Sequence, residues 1–227
     1  MGMRNHGRAG VAAAWMEHKG LVLDIGCAAG MFSLLSRDNG VKGVGVDISR
    51  ASLRQAKREA PGFDFAIASA ELLPWTDRAF DTILMLDVLE HVPCEHKALS
   101  EVERVLRPGG KLIVSVPNKG EFKRIDAQNS LLFAMGRKVM GRGGETMHHR
   151  HYSIEELKAL MPPSFRLSRM RYGGYLLFPL CGYLTMLSDN VRLRTLSSFI
   201  RSIEQVDFDR DFGQKSWHLM AEFIKEG

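Results

Sequence analysis

Leu21-Val-Leu-Asp-Ile-Gly-Cys-Ala-Ala-Gly30 reads as an apolar strand that runs into a carboxylate and then a Gly26-x-x-x-Gly30 turn. Leu21, Val22 and Leu23 suit a strand buried on both faces of a parallel sheet. Gly26 lets the chain turn sharply, and Gly30 lets backbone approach a ligand closely, with Cys27 and Ala28 lying in the loop between them. Asp24 then falls at the strand's carboxyl end, where open parallel sheets bind ligands, and its charge can meet an ammonium group there. A dinucleotide site has a different first turn, G-x-G-x-x-G, which rests a pyrophosphate on a helix N-terminus. An acid two residues before the first glycine would repel that anion.

Working outward, Met31 to Arg37 reads as a helix ended by Asn39-Gly40, and Val44-Gly-Val-Asp47 as a second short strand. Ser49 caps a helix that runs to Ala60 and stops at Pro61-Gly62. Phe63 to Ala68 alternates as a third strand, and Phe80 to Leu86 is a continuous apolar run suited to the sheet's centre. Glu95 to Leu106 is helical in period; Arg107-Pro-Gly-Gly110 breaks it, and Lys111 to Val116 forms a fifth strand. This alternation predicts an α/β fold of doubly wound type, a parallel sheet with helices on both faces. Tyr152-Ser153-x-Glu-Glu-Leu157 restarts a helix with Ser153 as cap, Phe165 to Tyr172 reads as a sixth strand, and Ser216 to Ile224 as the last. Residues 118–150 and 173–207 interrupt the pattern as insertions within one domain spanning 1–227; the second is largely helical, with Val191, Leu193, Leu196, Ile200 and Ile203 on one stripe.

With 227 residues and 45% hydrophobic content, the chain can bury one substantial core. The net charge of +5 is compatible with nucleic acid, an anionic membrane surface or an acidic metabolite and selects none of them. Cys27, Cys94 and Cys181 lie far apart, so neither a disulfide framework nor a zinc site is suggested, and a reducing, cytoplasmic setting is expected. Arg4 and Arg8 ahead of Ala9 to Met16 faintly imitate a secretory signal. That run is short, ends in Glu17-His18-Lys19 and meets the first strand at once, so it reads as a helix packed ahead of the strand. No segment reaches the roughly 20 apolar residues of a spanning helix.

Asp47 ends the second strand about 20 residues beyond Asp24, the spacing at which an acid reaches ribose hydroxyls in nucleoside-binding α/β folds. The same spacing serves nicotinamide-binding proteins, so Asp47 reports a nucleoside without naming it. The motifs Leu-Asp-Ile-Gly-Cys-Ala-Ala-Gly, Val-Gly-Val-Asp47, Glu71-x-Leu-Pro-Trp75, Phe80-Asp81, Leu86-x-Val-Leu-Glu-His-Val92 and Leu106-Arg-Pro-Gly-Gly110 together carry more. Through them the chain, over about residues 20 to 117, resembles the class I S-adenosylmethionine-dependent methyltransferase family (methyltransferase type 11), in particular its ubiquinone and menaquinone biosynthesis branch. The resemblance implies a Rossmann-like seven-stranded sheet, mostly parallel with an antiparallel last strand, and S-adenosylmethionine as cofactor, with S-adenosylhomocysteine as product. It places Asp24, Gly26 and Gly30 around the methionine end, Asp47 on ribose and Ile48 against adenine. Ser69 and Ala70 stand where adenine contacts fall, Ser69 replacing the acid of many relatives; Leu86 and Asp87 floor the methionine portion. Ala28 replaces a glycine of many relatives, which is tolerable if its backbone stays out of the left-handed region.

Methyl transfer chiefly needs an in-line nucleophile held as a near-attack pair, and a weakly acidic acceptor also needs a base. His148, His149 and His151 are candidate bases, with loop packing the competing reading; their spacing matches no familiar metal site, and no metal is expected. Glu90 and His91 resemble a corner of the methyltransferase family, and His91 reads as a capping or packing residue at least as readily as a catalytic one. The insertions combine apolar bulk with Lys119, Lys123, Arg124, Arg137, Lys138 and Arg142, and Tyr175 to Leu187 with Arg192, Arg194 and Arg201. This composition suits a lid over the site or peripheral contact with anionic lipid. An Asn/Asp-Pro-Pro-Tyr turn, common where base or amide nitrogens are methylated, is replaced by Leu86-Asp-Val-Leu89, which disfavours nucleic acid. The expected reaction is methyl transfer to oxygen or carbon of a small-molecule or lipid-linked acceptor, with no protein partner required. The alternatives are an NAD(P)-dependent oxidoreductase and a non-catalytic S-adenosylmethionine-binding module.

Overall fold

The computed structural model describes residues 7–16, 20–28, 41–120, 150–174 and 208–227. Among these, the elements in chain order are α1 (Gly7–Met16), β1 (Leu21–Ile25), β2 (Lys42–Asp47), α2 (Arg50–Glu59), β3 (Asp64–Ile67), β4 (Phe80–Leu86), α3 (Glu95–Val105), β5 (Leu106–Pro117), α4 (Ile154–Leu160), β6 (Phe165–Gly173) and β7 (His218–Lys225). The seven strands form one sheet in the order β3-β2-β1-β4-β5-β7-β6. Neighbours from β3 to β5 are parallel, and β7 runs antiparallel to both β5 and β6. The chain leaves β1 toward β2 and β3, then returns to β4 on β1's other side. The switch point therefore lies where β1 and β4 end, the place such sheets open a ligand crevice.

Each face of the sheet has its own apolar layer, because successive side chains of a strand point to opposite faces. Leu23, Ile25, Ile83 and Met85 pack with Ala98, Leu99 and Val102 of α3 and Leu157 of α4. Val22, Leu84, Ile113 and Met220 face the other way, onto Val11, Ala12, Ala13 and Met16 of α1. The N-terminal run is thus a helix packed beside the first strand, as its sequence suggests. Helix ends also follow the local signals: the Ser49 side chain accepts from Ser52 N, and Ser153 with Glu156 forms a capping box that starts α4.

Arg107-Pro-Gly-Gly110 behaves differently from a helix-to-strand break. Strand β5 already pairs at Leu106 with Phe80 and resumes at Lys111 opposite Thr82, so the intervening residues bulge out against Asp81. Gly109 supplies the left-handed residue with φ 75°. The bulge turns Arg107 back onto Asp81, 2.7 Å from its Oδ1, while Asp81 Oδ2 accepts from Leu21 N at 2.7 Å and so pins the start of β1. The expected helix at Met31–Arg37, the helical stripe in 173–207, nearly all of both insertions, and Cys181 lie outside the described residues.

The far edge of the sheet anchors α1. Glu222 on β7 is 1% exposed, and Arg169 of β6 donates to both its carboxylate oxygens at 2.9 Å. The same guanidinium lies 5.4 Å from the Trp15 ring centroid and donates to the Trp15 carbonyl. Breaking such a pair from one side leaves a buried charge behind. Arg169→Met is expected to cost about 3 kcal/mol of unfolding free energy, read as a lowered urea midpoint with unchanged slope.

Candidate active site

Strands β1 and β2 present their terminal carboxylates to the same crevice. Asp24 is buried, and its Oδ2 has no hydrogen-bond partner among the described residues. Burial, reinforced by the Asp47 charge, pushes the Asp24 carboxyl up to about 8. The next residues turn sharply: Gly26, at φ 70°, and Cys27 donate their amides to the Val46 carbonyl at 2.7 and 3.1 Å. A Cβ on Gly26 would stand 2.3 Å from Val88 Cγ2, so only glycine lets this turn close against the end of β4. Burial also raises the Cys27 thiol, with Asp24 and Asp47 adding to it, so Cys27 is an inert wall and no nucleophile.

Asp47 ties the turn to β2. Its Oδ2 accepts from Ala28 N at 2.9 Å and its Oδ1 from Ser49 N at 2.7 Å, leaving each oxygen a lone pair for a hydroxyl donor. Ala28 does enter the left-handed region, with φ 47°, against the expectation from sequence. That conformation costs an alanine about 1 kcal/mol, and the Asp47 bond holds it. Beside the turn, Ile48 is 76% and Leu72 75% exposed, two apolar side chains available to the faces of a planar ring. The Leu72 loop is fixed from below: Arg104 donates to the Leu73 and Trp75 carbonyls, and Glu101 accepts from Leu73 N. Ser69 Oγ accepts from Glu71 N at 3.1 Å, stabilising the same turn, and Ala70 is buried against the core.

The other half of the crevice lies at the ends of β4, β5 and β7. Asp87, directly after Leu86, adopts φ 56° and donates its amide to the Ser115 carbonyl at 3.0 Å. Its Oδ1 accepts from Ser115 Oγ at 2.7 Å and lies 3.6 Å from His218 Nε2, while Oδ2 is ion-paired with Arg8 of α1. Arg8 also donates to His218 Nε2 at 2.9 Å. Burial alone would raise the Asp87 carboxyl, but Arg8, His218, the Ser115 hydroxyl and His91 outweigh it and hold the group below its ordinary range. Burial and the Asp87 charge push the Glu90 carboxyl well above the usual range. Burial takes His218 down to about 3, so its imidazole is neutral.

Sequence reasoning had reached Asp24, Gly26, Cys27, Ala28, Asp47, Ile48, Ser69, Ala70, Leu86 and Asp87, and the fold collects all of them around the ends of β1 to β4. Gly30, His148 and His149 lie outside the described residues. His151 precedes Tyr152, which bridges to Asn118 at the end of β5, and it lies near enough to His218 to oppose its protonation. His91 belongs to a 3-10 turn, Leu89–His91, and does not cap α3, whose N-cap is Cys94. Arg8 and His218 were missed. Their only sequence signal was polarity within otherwise apolar elements.

The pattern described as "Methyltransferase domain" matches residues 23–114, from β1 through most of β5. Over these residues, less than half of its length, the chain is similar to class I methyltransferases. It is 37% identical over 107 residues to the demethylmenaquinone methyltransferase of Renibacterium salmoninarum, covering 46% of this chain and 45% of that protein. To the ubiquinone biosynthesis O-methyltransferase of Idiomarina loihiensis it is 28% identical over 176 residues, covering 74% and 70%. Across the first of these relatives the match covers less than half of their own length. A SAM-dependent methyltransferase from Methanosarcina mazei shares the fold, with TM-score 0.63 and 20% identity over 95% of this chain and 97% of that one.

The raised Asp24 carboxyl carries a stability cost in this fold. Between its ordinary value of 3.8 and the folded value of about 8, the folded chain holds a proton that the unfolded chain has lost. Stability therefore falls as pH rises through that window and levels off above it. Asp24→Asn should remove this slope and raise the melting temperature at pH 8 by several degrees while changing little at pH 4.5, as thermal unfolding at the two pH values would show.

Proposed function

We propose that the chain is an S-adenosylmethionine-dependent methyltransferase acting on oxygen or carbon of a small, quinol-like or lipid-linked acceptor. The observation that carries this reading is the pair of strand-end carboxylates either side of the Gly26 turn, one of them buried with an oxygen lacking a partner among the described residues. An ammonium group supplies what Asp24 lacks, and a ribose supplies hydroxyl donors to Asp47. Ile48 and Leu72 offer apolar contact to adenine, while Leu86 and Val88 close the methionine side. A pyrophosphate fits this crevice poorly, since both acids would face it.

When bound, S-adenosylmethionine supplies an electrophilic methyl group on a sulfonium. The protein's task is then positional: to hold an acceptor atom in line with that methyl, at the ends of β4, β5 and β7. Such pre-organisation is worth on the order of 7 to 11 kcal/mol in favourable systems. His151 is the described member of the three candidate histidines and borders the acceptor side, where it can take a proton from a hydroxyl or an acidic carbon. The acceptor class follows from the quinone chemistry in the names of the relatives. Among the described residues no helix is long and apolar enough to cross a membrane.

Titration calorimetry with S-adenosylhomocysteine is expected to show one site, weakened about 10- to 100-fold by Asp47→Ala. Because Asp24 must ionise beside the ammonium, binding at pH 7 should release a proton, giving heats that vary with buffer ionisation enthalpy. Affinity should rise with pH toward about 8, the Asp24 value, and flatten beyond it. Transfer of labelled methyl to reduced, demethylated quinones tests the acceptor class. A wild-type protein that binds no S-adenosylhomocysteine would refute the reading.

A further inference from the structure

We propose that Arg8 is a positioning residue of the methyl-transfer site, acting from α1 through Asp87 to fix the turn that closes β4 against the Gly26 loop. The inference rests on the reading of this crevice as an S-adenosylmethionine site. It starts from Asp87, a non-glycine residue held at φ 56°. Such backbone is strained for a residue with a side chain and persists only where its surroundings impose it. Here they do: the Asp87 amide is bound to the Ser115 carbonyl, and its carboxylate receives the Ser115 hydroxyl and the Arg8 guanidinium.

Of these partners Arg8 alone is permanently charged. Ser115 is neutral, and burial keeps His218 neutral although it stands 3.6 Å from Asp87 Oδ1. The other titratable groups facing the pair are Glu90 and His91 on the 3-10 turn, with His151 beyond His218. Glu90, whose carboxyl is pushed well above its usual range by burial and by the Asp87 charge, supplies no positive charge in either protonation state. Without Arg8 the Asp87 carboxylate would be a buried anion supported by the Ser115 hydroxyl and by the His218 and His91 imidazoles, with no permanent positive charge beside it. Its cheapest escape is to leave the left-handed turn or to take up a proton.

Either response reaches the cofactor loop through direct contact. Val88 follows Asp87 and fills the space beside Gly26, where even a methyl group would stand 2.3 Å from Val88 Cγ2. Gly26 in turn leads to Ala28, which Asp47 holds. The path from Arg8 thus runs through Asp87, Val88 and Gly26 to both strand-end carboxylates. Helix α1 lies outside the matched residues 23–114, and its own position is secured by Arg169 at Trp15. The N-terminal helix therefore delivers a charge that the matched segment lacks at this point.

The test is a charge-removal cycle read by S-adenosylhomocysteine affinity at pH 8, with folding of every variant checked by circular dichroism. Arg8→Met is expected to weaken binding about tenfold, while Arg8→Lys stays within about threefold of wild type. Removing the partner charge as well, in Arg8→Met/Asp87→Asn, should return affinity to within about threefold of Asp87→Asn alone. A helix that merely packs would leave the double variant as weak as Arg8→Met, and that result overturns the proposal. So does Arg8→Met binding within twofold of wild type. If Arg8→Met fails to fold, Arg8→Gln replaces it in the same cycle. A wild type that does not bind at all refutes the cofactor reading itself, whereas a binding wild type with an indifferent Arg8 refutes only this inference.

Discussion

A carboxyl group buried near the end of β1, with one oxygen lacking a partner among the described residues, is the constraint around which the rest of this molecule is arranged. Asp24 sits beside β2 and β4 in the middle of the sheet, where desolvation and the Asp47 charge both act against its ionised form. A protein selected for stability alone would place an amide or an apolar group there. Keeping the acid makes sense only if something positively charged arrives to share the site. The sheet order places Asp24 at the one position where a ligand can reach it, the crevice at the β1 and β4 ends.

Local strain around that crevice follows from the same demand. Three consecutive parts of the wall adopt left-handed backbone, Gly26, Ala28 and Asp87, and the two that are not glycine are each tied by a carboxylate. Asp47 accepts from the Ala28 amide, and the Asp87 side chain anchors its own residue to Ser115 and Arg8. These bonds hold the wall open in a shape that an unconstrained chain would abandon. Electrostatics then divide the crevice: two acids on the β1–β2 side await a cation, whereas the acid on the β4 side already has one.

How much of this could be read from the chain depended on how far each interaction reaches along it. Strands β1, β4 and β5 were legible because burial on both faces writes continuous apolar runs, and α2 and α4 because their caps lie within three residues of their partners. Asp24, Asp47 and the Gly26 turn were legible because local spacing alone determines them. The Arg107–Gly110 stretch was misjudged as a break before the strand, since a bulge uses the same glycines and proline as a turn and only pairing with Phe80 and Thr82 tells the two apart. The left-handed backbone of Ala28 is not legible locally, because it depends on a bond from a different strand. Arg8 lay beyond local reading altogether: its partners Asp87 and His218 are remote in sequence, and its neighbours made it look like the basic flank of a leader.

The distribution of these residues suggests how the fold separates donor from acceptor. The described residues proposed to hold the donor, from Asp24 to Val88, fall inside the segment that matches the methyltransferase pattern. The groups that define the far side, Arg8, Tyr152 with its neighbour His151, and His218, come from α1, the start of α4 and β7, all outside it. These elements converge because β7 inserts antiparallel between β5 and β6, which brings His218 to the same end of the sheet as Asp87 and places α1 across β4 and β5. A change of acceptor can thus be made by altering elements that the donor site does not share. Among the described residues Asp87 belongs to both halves, and its charge takes a partner, Arg8, from outside the matched segment.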